Sequence, residues 1–267
     1  MISDYLCLIR GGGDLGTGVA LQLKRRGMPV VVCDLKNPLS VRRKVSLSSA
    51  IVDKKIEIEE ITGERVDDLS NINDFLSTDV VPVLVSDSLP TFPLSVIVDA
   101  RMKKRPMDTK IDDADLVVAL GPGFFAGRDC HAVVETIRGP NLGKVIWDGC
   151  AQTDTGIPGE VGGLTSERLL RSPSNGKIHW IKKIGDLVEK HEVIGSVGDD
   201  DVVAGTSGLI RGMINEGSLL ESDMKIGDID PRGADVDASR VSDKALAVGN
   251  GVTEAVTTWL EKNESNL

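Results

Sequence analysis

The sequence predicts an α/β protein in which a mostly parallel β-sheet with helices on both faces is followed by a small all-β domain and a C-terminal helix. Three observations predict this fold class: a strand, glycine turn, helix and strand that end at Asp34, an internal repeat between positions 176 and 229, and helical spacing of apolar residues after Ser242. A chain of 267 residues also exceeds the usual length of one domain, so two compact units are expected.

The first of these observations is a strand, helix and strand at the N-terminus. Residues 5–9 form a short apolar run, and the apolar residues after the glycine turn recur every four positions, as on one face of a helix. Basic residues close the helix, and Gly27 follows as its left-handed cap. Residues 29–33 are a β-branched run typical of a buried parallel strand. One βαβ unit is therefore predicted to end at Asp34.

The turn between the first strand and the helix carries a nucleotide-binding pattern. Its glycines occupy the three positions of G-x-G-x-x-G, directly after a predicted strand. Glycines there let the backbone approach a pyrophosphate, whose charge lies against the N–H groups at the helix start. An acid at the end of the next strand would accept hydrogen bonds from ribose hydroxyls. We therefore predict a Rossmann-like domain that binds its ligand through Gly11, Gly12, Gly13, Asp14, Leu15, Gly16 and Asp34.

The predicted ligand is NAD or another adenosine- or pterin-containing nucleotide, and no metal is predicted. The acid at position 34 suits NAD better than NADP, although Lys36, Arg42 and Arg43 follow closely enough to leave the choice open. Two alternatives concern the turn itself. The glycines can serve packing alone, and Asp14 is expected to cap the helix rather than to bind a ligand.

Three more strands and a second glycine turn are predicted in the same domain. The strands are residues 80–85, 95–99 and 115–120, and a helix is predicted around 68–76. Gly121, Gly123 and Gly127 then form a turn that is expected to lead into a helix ending at Gly139. In a doubly wound sheet this turn lies at the same edge as the first, so Gly121, Gly123, Gly127, Asp99 and Arg101 are the second group of candidate ligand-binding residues.

The second half of the chain contains an internal duplication. Eight positions are matched by positions 32 residues later, some by the same residue and some by another apolar one. The matches pair Gly176, Ile178, Ile181, Gly185, Val188, Ile194, Gly195 and Val197 with Gly208, Ile210, Met213, Gly217, Leu220, Ile226, Gly227 and Ile229. Neither copy could bury its apolar face alone, so a small barrel-sandwich domain is expected. The predicted organisation is a nucleotide-binding domain over 1–155, a linker over 156–175, the duplicated β domain over 176–232 and a segment with a helix over 233–267.

The composition argues against several classes of function. Aromatic residues make up 3% of the chain and the net charge is −10, which disfavours nucleic acid as a partner. The four cysteines form no C-x-x-C pair, and the three histidines lie apart, which indicates neither a disulfide framework nor a zinc site. No apolar run is long enough to cross a membrane, and the first residues lack the features of a signal peptide. A cytoplasmic protein is expected.

Several separated motifs resemble those of one known family. The motifs are RGGGDLGTGVALQL, VRRKVSLSSAIV, LGPGFFAGRDCHAVVETIRGPNLGKVI, DTGIPGEVGG, MKIGDIDPRG and SDKALAVGNGVTEA. Together they are similar to the YqeB-type accessory proteins of selenium-dependent molybdenum hydroxylase systems, and they extend over nearly the whole chain. The resemblance implies a role in maturing a molybdenum hydroxylase, with the apo-enzyme or its cofactor machinery as partner. It implies no defined reaction and no set of catalytic residues.

Three functions remain open from the sequence. The first is a maturation factor that binds a nucleotide or a nucleotide-containing cofactor and hands it on. The second is an NAD-dependent oxidoreductase, for which a proton donor near the nicotinamide is needed and few candidates exist. The third is a docking scaffold in which the nucleotide-binding fold is vestigial. A homo-oligomer is compatible with each of them.

Overall fold

The chain folds into two compact units. The computed structural model describes residues 1–70, 72–75, 77–102, 108–153, 156 and 159–264. The first unit consists of Met1–Pro38, Ser46–Asp154 and Val241–Leu267, and the second of Leu39–Val45 and Thr155–Arg240. The C-terminal segment is thus part of the first unit.

The first unit is built on a nine-stranded sheet with the strand order β3-β4-β5-β2-β1-β6-β7-β8-β9. Adjacent strands from β4 to β8 are parallel, whereas the pairs β3·β4 and β8·β9 are antiparallel. The central strands are buried along their whole length, which explains their continuous apolar sequences. The strands are β1 (Cys7–Arg10), β2 (Val30–Asp34), β3 (Lys55–Ile58), β4 (Ile61–Val66), β5 (Val80–Val85), β6 (Val96–Asp99), β7 (Leu116–Leu120), β8 (Ala132–Val134) and β9 (Val145–Ile146).

Two long helices pack against each other on one face of this sheet. They are α1 (Asp14–Arg25) and α3 (Asp243–Glu264), while α2 (Ser49–Asp53) is a short helix after β2. α1 contacts β1 and β2, and α3 contacts β7, β8 and β9. The Ser242 hydroxyl accepts a hydrogen bond from the Ala245 N–H at 3.0 Å and so caps the start of α3. Among the described residues, no helix combines the length and the apolar character that a membrane span requires.

The other face of the sheet is covered by irregular segments. Its apolar side chains include Leu8, Val31 and Ile97, and they pack with Phe124 and Phe92. The connection from β5 to β6 contains Pro90 and Pro93, which disfavour a helix. Between β7 and β8, Gly121, Gly123 and Gly127 have φ values of 70°, 111° and 85°, which an α-helix excludes.

The fold predicted from the sequence is therefore wrong. In place of a Rossmann-like sheet with helices on both faces and a barrel-sandwich domain, the structure has a mixed nine-stranded sheet and two four-stranded antiparallel sheets. The helix predicted to end at Gly139 is also wrong, because residues 132–134 form the buried strand β8. Around 68–76 the described residues contain one turn of 3-10 helix, Ile72–Asp74, and the Asp68 carboxylate accepts from the Ser70 N–H, a local bond that competes with helix formation.

The second unit consists of two antiparallel sheets. One has the order β10-β17-β15-β12 and the other β14-β13-β11-β16. Their strands are β10 (Leu169–Arg171), β11 (Gly176–Trp180), β12 (Leu187–Val188), β13 (Val193–Val197), β14 (Asp200–Val203), β15 (Gly208–Met213), β16 (Leu219–Leu220) and β17 (Lys225–Asp230). β10 lies in the stretch predicted as a linker.

The strands of the second unit follow the internal repeat. β11, β12 and β13 recur 32 positions later as β15, β16 and β17, since Gly176 and Gly208 begin the first strand of each copy. The short strand of each copy pairs with the first strand of the other copy, β12 with β15 and β16 with β11. The repeated isoleucines, among them Ile178, Ile194, Ile210 and Ile226, meet in one apolar core. Each copy thus buries its apolar face against the other.

Candidate functional site

The candidate site lies at the carboxyl edge of the parallel strands of the first unit. The strand register aligns Arg10 with Cys33 and with Asp99, and it aligns Asp34 with Val85. β1, β2, β5 and β6 therefore end at one edge, and the segments that follow them lie side by side. In open sheets of parallel strands this edge is where ligands bind.

The glycine turn after β1 is packed closely against its own surroundings. Gly11 has a φ of 101°, and a Cβ at this position would lie 3.1 Å from the backbone of Ala100 and Arg101. The Gly12 carbonyl accepts a hydrogen bond from the Ser48 N–H at 2.9 Å. A Cβ at Gly16 would lie 2.0 Å from the Gly11 carbonyl oxygen. Gly11 and Gly16 are therefore required by backbone packing, whether or not a ligand also uses the turn.

Asp14 lies at the start of α1. Gly13 is the N-cap residue, and Asp14 is the first residue of the helix. The Asp14 carboxylate accepts a hydrogen bond from the Ser242 hydroxyl at 3.3 Å. The capping role expected for its side chain stays a prediction. Asp14 and Leu15 are partly exposed beside the turn.

The Asp34 carboxylate accepts hydrogen bonds from the backbone after β1 and after β2. Its Oδ2 accepts from the Gly12 N–H at 2.8 Å, and its Oδ1 accepts from the Leu35 N–H at 2.7 Å. The carboxylate thus fixes the glycine turn to the end of β2.

An open pocket of about 410 Å³ begins directly after Asp34 and is lined by Leu35, Lys36, Asn37, Val85, Ser86 and Asp87.

A cluster of charged residues, most of them buried, lies at the ends of β1 and β6. Asp99 is fully buried, and its carboxylate accepts from the Arg101 guanidinium and from the Thr109 hydroxyl, both at 2.6 Å at Oδ2. Arg10 donates to Thr109 at 2.6 Å and to the Asp108 carboxylate at 2.8 Å. Arg101 also pairs with Asp108 at 2.7 Å. We call these five residues the arginine cluster.

The arginine cluster was only partly expected. Asp99 and Arg101 are sequence-predicted site residues, and the structure brings them next to the glycine turn through the contact of Gly11 with Arg101. Arg10, Asp108 and Thr109 were not predicted. For Arg10, the only signal was a charged residue at the end of an apolar strand. Hydrogen bonds from Arg10 to Asp108 lower the pKa of that carboxyl well below its usual range.

The second glycine turn reaches the same edge only at its beginning. Gly121 follows β7, and a Cβ at Gly121 would lie 2.6 Å from the Thr136 Oγ1 atom and 3.0 Å from the Met102 methyl group. Met102 is the neighbour of Arg101 in the chain. Gly127, by contrast, donates its N–H to Cys130 at 2.8 Å, in the turn that leads to β8. Gly123 and Gly127 shape this turn through their positive φ values.

The thiols of this unit give a first prediction. Cys7, Cys33 and Cys130 are buried and Cys150 is exposed. Burial raises the pKa of Cys33 and of Cys130 to about 12, and it also raises the pKa of Cys7. Because the thiolate is the reactive form, iodoacetamide at neutral pH should alkylate Cys150 alone in the folded protein and all four cysteines in denaturant. Mass spectrometry of the intact protein measures this, and rapid native alkylation of Cys33 would contradict the burial.

The described residues offer no evident metal site. Among them, no group of three or more His, Cys, Asp or Glu side chains is arranged to hold a metal ion. The groups that the edge offers to a ligand are N–H groups at the start of α1, a carboxylate at Asp34, an ammonium at Lys36 and the two guanidiniums of the arginine cluster.

Comparison with known proteins gives one strong sequence match. The chain is 40% identical over 255 residues, 94% of its length, to the uncharacterized protein YqeB of Escherichia coli (strain K12). It spans 47% of the length of that relative. No protein-family model matches the chain.

The solved structures that the chain resembles are distant. TcdA (CsdL) has a TM-score of 0.39 and 14% identity, over 99% of this chain and 89% of that one. An aspartoacylase family protein from Mesorhizobium loti has a TM-score of 0.28 and 14% identity over 84% of each chain. A succinylglutamate desuccinylase/aspartoacylase from Rhodobacter sphaeroides has a TM-score of 0.27 and 11% identity, over 84% of this chain and 85% of that one. Scores this low carry no argument about function.

Proposed function

We propose that this chain, which is of the YqeB type over the half of YqeB that it spans, is a cytoplasmic accessory factor. Its proposed role is in the maturation of a molybdenum hydroxylase. In this role it binds a nucleotide or a nucleotide-containing cofactor at the carboxyl edge of its parallel strands. The apo-hydroxylase or its cofactor machinery is the proposed partner. Binding and transfer of the ligand, rather than turnover, is the proposed activity.

The observation that carries this proposal is the position of the pocket. Its lining begins at Leu35, the residue after Asp34, and the Asp34 carboxylate holds the Gly12 N–H. The pocket therefore begins one residue beyond the carboxylate that fixes the glycine turn. A ligand that spans the two would place a sugar beside Asp34 and phosphates beside the N-terminus of α1, where the helix dipole favours negative charge. Lys36 at the pocket adds a positive charge for an anionic ligand.

The backbone hydrogen bonds of Asp34 are compatible with ligand binding. An ionised carboxylate has roughly four lone-pair sites, so bonds from backbone N–H groups do not by themselves prevent it from accepting from a hydroxyl. The same bonds hold the carboxylate in one orientation before a ligand arrives, which lowers the entropic cost of binding. Asp34 is in this view both a support of the turn and a contact for the ligand.

The proposal predicts that a nucleotide stabilises the folded protein. Thermal unfolding and calorimetric titration with NAD, NADP, ATP, CTP and molybdopterin dinucleotide should identify at least one ligand. At about 100 times its Kd, such a ligand adds about 2.7 kcal/mol to the free energy of unfolding. Asp34→Asn keeps the size of the side chain and one acceptor oxygen, and it should weaken binding by about tenfold, corresponding to about 1.4 kcal/mol for a charge-assisted hydrogen bond.

A matched control is Asp53→Asn, which makes the same charge change at an exposed position at the end of α2. It should leave the affinity for the nucleotide unchanged. If no nucleotide binds the wild type, the nucleotide-binding proposal is wrong, and the packing of the glycines alone explains the turn. If NAD binds and is reduced in the presence of a substrate, an oxidoreductase replaces the accessory factor.

A further inference from the structure

We infer that Arg10 and Arg101 form a binding site for an oxyanion group, a phosphate or a carboxylate, and that Asp108 competes for this site from within the same chain. The inference rests on the proposed function, because the site adjoins the same glycine turn, and it adds to it a second contact point and an internal competitor for the ligand.

Asp108 occupies the two arginines as an anionic ligand would. Its Oδ2 lies 2.8 Å from Nη2 of Arg10, and its Oδ1 lies 2.7 Å from Nη1 of Arg101. Each oxygen of one carboxylate is thus bound by a different guanidinium. Two oxygens on a single phosphorus or carbon atom match this arrangement, and guanidinium groups are suited to such paired contacts.

Each of the two guanidiniums has hydrogen-bond partners other than Asp108. The Thr109 hydroxyl accepts from Nη1 of Arg10 at 2.6 Å and from Nη2 of Arg101 at 3.0 Å, and it donates to Asp99. Asp99 in turn accepts from Nε and Nη2 of Arg101. A site whose donors are fixed before the ligand arrives binds it at a lower entropic cost.

The cluster holds two guanidiniums and two carboxylates, so without Asp108 one positive charge is left unbalanced. Asp99 balances Arg101, and within the cluster Asp108 is the remaining negative partner for Arg10. The Arg10 side chain is 2% exposed, so an anion must accompany it if Asp108 leaves. A ligand oxyanion is the natural replacement.

Asp108 differs from the other members because it can leave. Its side chain is 60% exposed, whereas those of Arg10, Asp99 and Arg101 are 2%, 0% and 14% exposed. An exposed carboxylate regains its hydration when it separates from its partners, and this offsets part of the cost of breaking its two ion pairs. Exchange of Asp108 for a ligand is therefore feasible without opening the core.

The position of the cluster connects it to the proposed nucleotide site. Arg10 directly precedes Gly11, and a Cβ at Gly11 would lie 3.1 Å from the Arg101 Cα atom. Nη2 of Arg10 also lies 3.4 Å from the carbonyl oxygen of Asp87, which lines the pocket. An anionic group of a ligand in the pocket or on the turn can therefore reach the two arginines.

The test is calorimetric titration of the full chain with pyrophosphate and, separately, with malonate, which distinguish a phosphate source from a carboxylate source. Asp108→Asn removes the internal competitor. If the unoccupied form is a minor state of about 10% or less, removing the competitor should tighten binding of at least one anion by about tenfold or more. In the double variant Asp108→Asn with Arg101→Gln this gain should disappear.

The matched control is Asp112→Asn, the same charge change at an exposed acid four positions along the chain. It should change the affinity by less than about twofold, because exposed charges are screened by salt. The inference is overturned if Asp108→Asn binds neither anion more tightly than Asp112→Asn does. If Asp108→Asn does not fold, the unfolding temperature of the wild type provides the test. It should rise with the concentration of pyrophosphate or malonate. No rise with either anion overturns the inference.

The outcomes separate this inference from the proposed function. A gain in anion affinity in Asp108→Asn, with no nucleotide bound by the wild type, supports the oxyanion site and contradicts nucleotide binding. Nucleotide binding that depends on Asp34, with no gain in Asp108→Asn, supports the proposed function and contradicts the oxyanion site.

Discussion

Asp99→Ala is expected to lower the free energy of unfolding by about 3–5 kcal/mol, the usual cost of removing one partner from a buried ion pair. The Asp99 side chain is fully buried and accepts hydrogen bonds from the Arg101 side chain and from Thr109. Without it, the Arg101 guanidinium and the Thr109 hydroxyl lose their shared acceptor inside the protein. Denaturant unfolding of the variant and the wild type measures the difference.

An exposed acid provides the control for Asp99. The Asp67 side chain is 89% exposed and lies 3.5 Å from Arg65, so Asp67→Ala should change the free energy of unfolding by no more than about 0.5 kcal/mol. If Asp99→Ala and Asp67→Ala have similar effects, the arginine cluster does not hold the edge of the sheet together.

Gly16→Ala is expected to destabilise the protein by about 3 kcal/mol or more, the upper range for overpacking a close contact. The direction of this change in stability is informative, because replacing a glycine inside a helix by alanine ordinarily stabilises the protein by about 1 kcal/mol. Here the new methyl group would lie 2.0 Å from the Gly11 carbonyl oxygen, which is backbone and cannot rotate away. α1 would have to separate from the glycine turn.

Gly27→Ala is the matched comparison for Gly16. Gly27 has a φ of 79° and nothing within 4 Å of its Cβ position, so alanine there adds backbone strain of about 1 kcal/mol and no clash. Thermal unfolding of both variants, and nucleotide titration of Gly16→Ala below its unfolding temperature, check the prediction. A Gly16→Ala protein as stable as the wild type would show that the turn tolerates a side chain.

Local sequence predicted the strands better than it predicted the fold. The β-branched runs that became β2, β5 and β7 were recognisable because buried parallel strands need continuous apolar sequence. The run at 132–134 was assigned to a helix, because the spacing of Cys130, Val133 and Ile137 also fits a helical face, and short apolar runs are ambiguous. The long helices lie on one face of the sheet because irregular segments cover the other face. Tertiary packing decides this, so the local sequence does not predict it.

The candidate site was predictable where its residues end a strand or follow it directly. Asp34 and Asp99 end β2 and β6, the glycine turn follows β1, and the register of the strands brings them to one edge. Arg10 and Thr109 lie 99 positions apart, and nothing in the sequence indicates their contact. Gly18 is a similar case, because a Cβ there would lie 2.4 Å from the Ala245 carbonyl oxygen in α3, a contact between distant segments.

The most direct test of the account is to locate the bound nucleotide by NMR chemical-shift mapping of backbone amides. The amides of Gly12 and Leu35 donate to Asp34, so they report on both the turn and the pocket. We predict that a stabilising nucleotide shifts these two amides and those of Lys36 and Asp87 most strongly. Shifts confined to the second unit, with the Gly12 and Leu35 amides unchanged, would contradict a ligand site at the carboxyl edge of the sheet.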